Sequence, residues 1–186
     1  VVGLTMRGWG SKEPWEAAVE LCDHLAGVLG VRALLLPFQP EDRTLAWRIA
    51  AACEHEPLVL QTSLLPAEML SLISRLELLV SMRLHGLILA AAQETPAVGL
   101  AYDPKVYAFA QEAGQRVLPL EQVTGQRLRI VVEEVWQARE ASKGSHADAA
   151  KRLRQAAERN FTVLEEVAAS LGMDEGRPVA QEIVEG

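Results

Sequence analysis

Short apolar runs alternate with segments of helical periodicity over roughly the first 120 residues of this 186-residue chain. The apolar runs have the length of buried strands and are bordered by turn residues; they cover residues 1–6, 31–36, 58–61, 76–82, 97–101 and 117–120. The segments between them repeat apolar residues every three or four positions, which predicts helices at about residues 14–29, 42–54, 66–74, 84–94 and 103–113. Strands that alternate with helices form a mostly parallel sheet covered on both faces. We therefore expect an α/β fold with a Rossmann-like, doubly wound sheet, in which Pro119 marks an edge strand.

The alternation stops after residue 120, and two further helices are predicted. Residues 126–140 place a set of apolar side chains on one helical face, and residues 146–171 again repeat apolar residues three or four apart. Lys143-Gly144-Ser145 predicts a break between them, with Ser145 as the N-cap. The last helix either packs on its own domain or crosses to another half of a two-domain protein of the GT-B type. We expect an α/β domain at residues 1–122, C-terminal helices at 123–172 and a flexible tail at 173–186.

Composition narrows the class of protein. The chain is 49% hydrophobic and 23% charged, which is typical of a globular domain with a substantial core. Its formal net charge of -7 argues against a nucleic-acid binder, which usually presents a basic face. No apolar run approaches the ~18 residues of a membrane span, and we expect no signal peptide before the first strand. We expect a cytoplasmic location, which includes binding at the inner face of the membrane. We also expect Cys22 and Cys53 to be free thiols.

Polar side chains interrupt the apolar sequence between the strand at 76–82 and the helix at 84–94. Ser81, Arg83 and His85 lie at this junction, and Arg7 follows the first strand. The carboxyl ends of parallel strands open onto a ligand crevice, and the N–H groups at the start of the next helix favour anions. A guanidinium fits a carboxylate or phosphate, and an imidazole exchanges a proton near neutral pH. The pattern predicts an anion site, although a surface ion pair for Arg83, a core position for His85 and a solvated Arg7 stay open.

Tyr102, Asp103 and Lys105 follow the fifth strand at the same edge of the expected sheet. Asp103 is placed to cap the next helix, with Pro104 at its first position. Lys105 either adds charge to the anion site or is solvated. Three further polar residues follow the second strand and are candidates for contacts with sugar hydroxyls: Gln39, Glu41 and Asp42.

Metal and nucleotide motifs are missing from the sequence. It contains no GxxxxGK[ST], HExxH, GxSxG or CxxC pattern, which argues against a P-loop, a zincin, a serine hydrolase or a zinc site. His24, His55 and His146 have no spacing that suits a metal ion. We expect no metal site.

Two blocks of sequence resemble the polysaccharide pyruvyl transferase family. The first is Ser81-Met82-Arg83-Leu84-His85-Gly86, and the second runs from Thr95 to Val106 as TPAVGLAYDPKV. Residues 2–7, VGLTMR, are similar to the strand and arginine that open the second half of those enzymes. The resemblance covers residues 1–115, and because the chain opens directly on this strand, we expect it to be the C-terminal half of a GT-B-like enzyme.

The resemblance implies a reaction and a set of roles. Pyruvate would pass as a ketal from phosphoenolpyruvate to a sugar of a cell-surface polysaccharide precursor, lipid-linked or free, without a bound cofactor. Arg83 and His85 would be catalytic, His85 as general acid or base. The substrate would be bound by Arg7, Ser81, Tyr102, Asp103 and Lys105. The missing N-terminal half would complete the acceptor site, so the isolated chain is expected to be inactive. A GT-B glycosyltransferase or epimerase that binds a nucleotide-sugar, and a non-catalytic α/β binding module, stay open as alternatives.

Overall fold

The computed structural model of the protein describes residues 1–8 and 14–170, and it contains one six-stranded parallel sheet. The order of the strands across this sheet is β3-β2-β1-β4-β5-β6. The strands are β1 (Val2–Thr5), β2 (Ala33–Leu35), β3 (Leu58–Val59), β4 (Leu78–Ser81), β5 (Ala97–Ala101) and β6 (Arg116–Pro119). This is the strand order of a doubly wound Rossmann sheet, so the expected fold class is confirmed. Pro119 ends an edge strand, as predicted.

A helix follows each of the first five strands, and two more helices follow β6 after a short 3-10 turn at Leu120–Gln122. Their bounds lie within a few residues of the predicted ones. They are α1 (Trp15–Gly27), α2 (Pro40–Ala52), α3 (Pro66–Ile73), α4 (Leu84–Ala92), α5 (Pro104–Glu112), α6 (Gly125–Ala138) and α7 (Lys143–Ser170).

Buried apolar side chains form two clusters, one for each face of the sheet. Successive residues of β4 show the division, because Leu78 and Val80 belong to one cluster and Leu79 to the other. The first cluster joins the sheet to α1, α2 and α6, and the second joins it to α3, α4 and α5. Burial on both faces explains why these strands read as continuous apolar runs.

The position of β1 in the sheet defines where a ligand crevice can form. β1 pairs with β2 on one side and with β4 on the other, and Thr5 stands opposite Ser81 in the second pair. From β1 the chain extends the sheet through β2 and β3 on one side and later through β4, β5 and β6 on the other. The loops that follow β1 and β4 therefore leave neighbouring strand ends in opposite directions. A doubly wound sheet binds its ligands at such a switch point.

The predicted break at Lys143-Gly144-Ser145 is wrong. The turn between the last two helices lies at residues 139–142, and α7 already includes all three residues. His146 donates its backbone N–H to the Ser142 carbonyl at 3.0 Å, and Ser145 Oγ donates to the same carbonyl at 2.8 Å instead of capping a helix. A glycine inside a helix costs only about 1 kcal/mol relative to alanine, which the surrounding helical residues offset.

The described residues divide into two compact units, one of residues 1–150 and one that begins at Lys151 within α7. In the first unit α6 packs on α1. In the second unit Phe161, Val163, Leu164 and Val167 are exposed. The domain boundaries expected from the sequence stay predictions, as do the two interpretations of the last helix. The tail expected at residues 173–186 lies outside the described residues.

Both cysteines are free, as expected. A hydrogen bond to Cys53, together with burial, raises the pKa of the Cys22 thiol. The same hydrogen bond lowers the pKa of Cys53. Within residues 1–8 and 14–170, no helix combines the length and the apolar character needed to cross a bilayer.

Candidate functional site

The junction between β4 and α4 is shaped by the hydroxyl of Ser81. This oxygen lies 2.9 Å from Thr5 Oγ1, donates to the Arg83 carbonyl at 2.8 Å, and accepts the Arg83 N–H at 3.1 Å. Ser81 is fully buried, and Gly86 lies so close that a Cβ there would be 2.5 Å from the hydroxyl oxygen. The structure thus gives Ser81 a role in holding the loop that carries Arg83.

Arg83 forms an ion pair with Asp42, a residue 41 positions away in sequence. Its Nε donates to Asp42 Oδ2 at 3.1 Å, and its Nη2 donates to Oδ1, so the pair is bidentate. The side chains are only 11% and 3% exposed. Two parallel N–H···O bonds fix the orientation of the guanidinium plane as well as its position.

Asp42 is itself fixed by the start of α2. Its Oδ2 accepts the backbone N–H of Phe38 at 3.2 Å and that of Gln39 at 3.1 Å. In return, the Asp42 N–H donates to the Gln39 carbonyl at 3.0 Å. Pro40 occupies the first turn, where its missing N–H is tolerated. One carboxyl group therefore closes the first turn of α2 and binds Arg83 at the same time.

Arg7 follows β1 and contacts Tyr102, which follows β5. Its Nη1 donates to the Tyr102 hydroxyl at 3.1 Å, and its Cζ lies 5.2 Å from the centre of the tyrosine ring. This contact combines a hydrogen bond with a cation–π interaction. The structure thereby brings together two of the residues predicted to bind substrate.

A cavity of about 670 Å³ opens at the carboxyl end of the sheet. It is lined by Arg7 and Gly8 after β1, by Arg83 after β4, and by the start of α2 with its preceding loop. The α2 contribution is Gln39, Pro40, Glu41, Asp42, Thr44, Leu45 and Arg48. Three guanidiniums and two carboxyl groups thus share the cavity wall, beside a helix N-terminus that favours anions. The cavity suits a small anionic ligand with polar groups.

The other predicted residues lie outside the lining of this cavity. His85 is exposed in the first turn of α4, and its side chain makes no hydrogen bond within residues 1–8 and 14–170. Asp103 caps α5 by accepting the Lys105 N–H at 2.9 Å, which confirms the predicted cap. Lys105 Nζ lies 3.8 Å from Asp103 Oδ2, with 61% of its side chain exposed. The catalytic and binding roles expected for these residues stay predictions.

Sequence reasoning missed two features of the site. It named Asp42 only as a contact for sugar hydroxyls and not as the partner of Arg83, and it did not name Arg48. Arg48 lines the cavity, and its Cζ lies 4.1 Å from the centre of the Trp15 ring. Its position two turns after Pro40, on the face of α2 that carries Glu41 and Leu45, was the available signal. In the part of the chain that the structure describes, no group of three or more His, Cys, Asp or Glu side chains could hold a metal ion.

The sequence model of one protein family, described as polysaccharide pyruvyl transferase, matches residues 6–104, which is just over half of the chain. This match begins beside Arg7 and includes Asp42, the β4–α4 junction and Asp103. The chain belongs to the polysaccharide pyruvyl transferase family. The family resemblance read from the sequence is thereby confirmed. No curated protein sequence matches the chain significantly.

Solved structures similar to this family member have GT-B glycosyltransferase-like folds. The glycotransferase of kitacinnamycin gives a TM-score of 0.62 at 19% identity, over 89% of this chain and 42% of that one. Escherichia coli heptosyltransferase WaaC with ADP gives 0.55 at 24% identity, over 81% and 45%. UDP-GlcNAc 2-epimerase from Neisseria meningitidis gives 0.53 at 13% identity, over 85% and 44%. The chain thus spans less than half the length of each, and at these identities the likeness shows the fold alone.

Proposed function

We propose that this pyruvyl transferase family member holds phosphoenolpyruvate in the cavity at the switch point and transfers its pyruvyl group to a sugar. The observation that carries the proposal is the convergence of Arg7 and Arg83 on one cavity from the adjacent strands β1 and β4. Phosphoenolpyruvate is short and carries an anionic group at each end. Two guanidiniums held apart by the sheet match such a ligand.

The charges around the cavity support an anionic donor. Asp42 offsets the charge of Arg83, while Arg7 and Arg48 add two positive charges to a cavity wall that also includes the carboxyl group of Glu41. The thirteen-residue helix α2 begins at the wall of the same cavity, and the positive end of its dipole favours a phosphate or carboxylate. A guanidinium held in one orientation, together with a helix N-terminus, stabilises negative charge more effectively than a flexible surface lysine does.

The proposed reaction forms a ketal and releases inorganic phosphate. The methylene carbon of phosphoenolpyruvate gains a proton and becomes a methyl group, which leaves an oxocarbenium-like centre at the neighbouring carbon. Two sugar hydroxyls bond to that carbon as its bond to the phosphate oxygen breaks. One hydroxyl proton balances the proton taken up by the methyl group, and the other leaves with phosphate. Arg7 and Arg83 would stabilise the leaving phosphate and the carboxylate.

His85 is the group we propose for proton transfer. It stands in the first turn of α4, two residues after Arg83, and its ring is accessible. An exposed imidazole is suited to give a proton to the methylene carbon or to take one from a sugar hydroxyl. The His85→Ala variant should bind phosphoenolpyruvate normally and lose about 100-fold or more in turnover. Equal losses in binding and turnover would contradict this role.

The acceptor is proposed to be a sugar of a cell-surface polysaccharide precursor, with or without a lipid carrier. We propose that a second domain contributes to its site, because the similar GT-B structures are more than twice as long as the aligned region. On that view the chain by itself binds the donor but does not complete the transfer. Lys105, Tyr102 and Asp103 would border the donor from the end of β5.

Titration of the 186-residue chain with phosphoenolpyruvate, followed by backbone amide NMR shifts, tests the donor site. Shifts should centre on Arg7, Arg83 and the first turn of α2, and they should disappear in the Arg83→Ala variant. A parallel titration with a uridine diphosphate sugar tests the nucleotide-sugar alternative, which the ADP and UDP-GlcNAc bound in two similar structures suggest. Shifts from the nucleotide sugar alone would replace the proposal by that alternative. Absence of shifts from phosphoenolpyruvate would refute a donor site in this chain.

A further inference from the structure

We propose that Asp42 is a positioning residue, which fixes the guanidinium of Arg83 in the orientation that binds the anionic donor. The inference rests on the proposed donor site and adds a second function to a residue that also closes the first turn of α2. Asp42 is 3% exposed, and four donors converge on its two oxygens: the N–H groups of Phe38 and Gln39, and Nε and Nη2 of Arg83.

The division of these bonds between the two oxygens leaves a defined edge of Arg83 for a ligand. Asp42 accepts one hydrogen bond from Nε and one from Nη2 of Arg83. Within residues 1–8 and 14–170, Nη1 makes no hydrogen bond. A guanidinium carries its N–H donors in a rigid fork, so fixing one edge fixes the other. The donors that remain belong to a side chain that lines the cavity. The anion therefore meets a preorganised fork.

Closing the helix turn does not by itself require a carboxyl group at this position. Phe38 and Gln39 both donate to Oδ2, and a neutral side-chain oxygen such as that of Asn can also accept such bonds. The bond from Arg83 Nη2 requires a second acceptor, and that is the position where asparagine would carry an NH₂ group instead of Oδ1. The side chain thus divides into an oxygen that holds both the turn and Nε, and an oxygen that serves Arg83 alone.

The Asp42→Asn variant separates the two functions. Its amide oxygen can replace Oδ2 and keep the turn, while its NH₂ group would face Arg83 Nη2 as donor against donor. The fork then loses its fixed orientation, and phosphoenolpyruvate affinity should fall about tenfold, the loss expected for weakening a hydrogen bond to a charged group. The backbone amide NMR shifts of α2 should stay close to those of the unaltered chain.

Glu41→Gln is the matched control. Glu41 also lines the cavity, stands next to Asp42, and makes no hydrogen bond to Arg83. Both variants remove one negative charge beside the anion site. If only net charge mattered, both would bind phosphoenolpyruvate more tightly. Positioning instead predicts weaker binding in Asp42→Asn and equal or tighter binding in Glu41→Gln.

NMR titration gives the phosphoenolpyruvate dissociation constants that test the inference. They are measured for the unaltered chain, Asp42→Asn, Glu41→Gln, Arg83→Lys and the double variant Asp42→Asn with Arg83→Lys. A residue that acts through Arg83 should have no further effect once the fork is gone, so the double variant should match Arg83→Lys. Additive losses would overturn the inference, as would unchanged or tighter binding in Asp42→Asn. If the unaltered chain binds no phosphoenolpyruvate, the donor proposal fails first, and the inference fails with it.

A measurement on the unaltered chain keeps the inference testable should Asp42→Asn not fold. The Arg83 Nε–H signal should be present and slow to exchange with water before the ligand is added, and phosphoenolpyruvate should shift the Nη signals while the Nε–H signal persists. A rapidly exchanging Nε–H that becomes protected only on binding would show that the ligand, and not Asp42, orients the fork.

Discussion

Two neighbouring strand-to-helix junctions carry charged residues in equivalent places and use them differently. After β4, Arg83 precedes α4 and pairs with Asp42 across the sheet edge, with side chains 11% and 3% exposed. After β5, Asp103 precedes α5 and pairs with Lys105 of its own helix at 3.8 Å, with side chains 31% and 61% exposed. The first pair joins segments far apart in sequence, and the second is local.

The difference shows that burial and sequence separation decide how much a pair of charged residues contributes to stability and to the orientation of its side chains. A local cap needs little more than an oxygen at the right position, and an exposed pair beside it is screened by water. A buried pair from distant elements holds both side chains in one geometry and penalises the loss of either partner. Only the second arrangement can present a guanidinium to a ligand in a fixed orientation, which is what the proposed donor site requires.

The largest predicted effect comes from removing the buried partner. Asp42→Ala leaves Arg83 without its counter-charge and leaves the Phe38 and Gln39 N–H groups without an acceptor. We expect the free energy of unfolding to fall by about 3 kcal/mol, near the lower end for a broken buried pair because Arg83 borders an open cavity. Urea denaturation followed by circular dichroism measures the change. A loss below about 1 kcal/mol would mean that this pair is energetically no different from a surface pair.

The second prediction concerns the packing that supports the β4 junction. A Cβ added to Gly86 would stand 2.5 Å from the Ser81 hydroxyl oxygen and 3.3 Å from its Cβ. The hydroxyl cannot yield freely, because it also contacts Thr5 and the Arg83 backbone. We expect Gly86→Ala to destabilise the chain by about 1–3 kcal/mol through overpacking. Thermal unfolding measures it, and Gly144→Ala is the control, because a Cβ there meets nothing within 4 Å. Equal effects in the two variants would contradict the steric explanation.

The two junctions also differ in how far the sequence predicts them. Asp103 and Pro104 are adjacent, so the cap of α5 follows from local rules, and the structure confirms it. The alternation of apolar runs and helices likewise predicts the sheet, since strands buried on both faces are continuous in sequence. The Arg83–Asp42 pair depends on the strand order, which brings the loops after β2 and β4 to opposite sides of β1. No local pattern encodes that order.

The third prediction tests the local junction. Asp103→Ala removes the oxygen that accepts the Lys105 N–H at the start of α5. We expect a loss of about 1 kcal/mol in the free energy of unfolding, and Asp103→Ser should restore most of it because serine also caps helices. Urea denaturation of both variants separates the contribution of the cap to the free energy of unfolding from the contribution of the charge. A loss as large as that of Asp42→Ala would show that the β5 junction is no weaker than the β4 junction.

The smallest effect is expected at Lys105, where stability and binding can be told apart. Lys105→Ala breaks only an exposed pair, so the free energy of unfolding should change by less than about 0.5 kcal/mol. If Lys105 adds long-range charge to the donor site, phosphoenolpyruvate affinity should fall about twofold at low salt and recover at an ionic strength of about 1 M, where such charges are screened. NMR titration at both ionic strengths measures this. A tenfold loss that persists at high salt would instead mean that Lys105 contacts the donor directly, which would make the β5 junction part of the site despite its exposure.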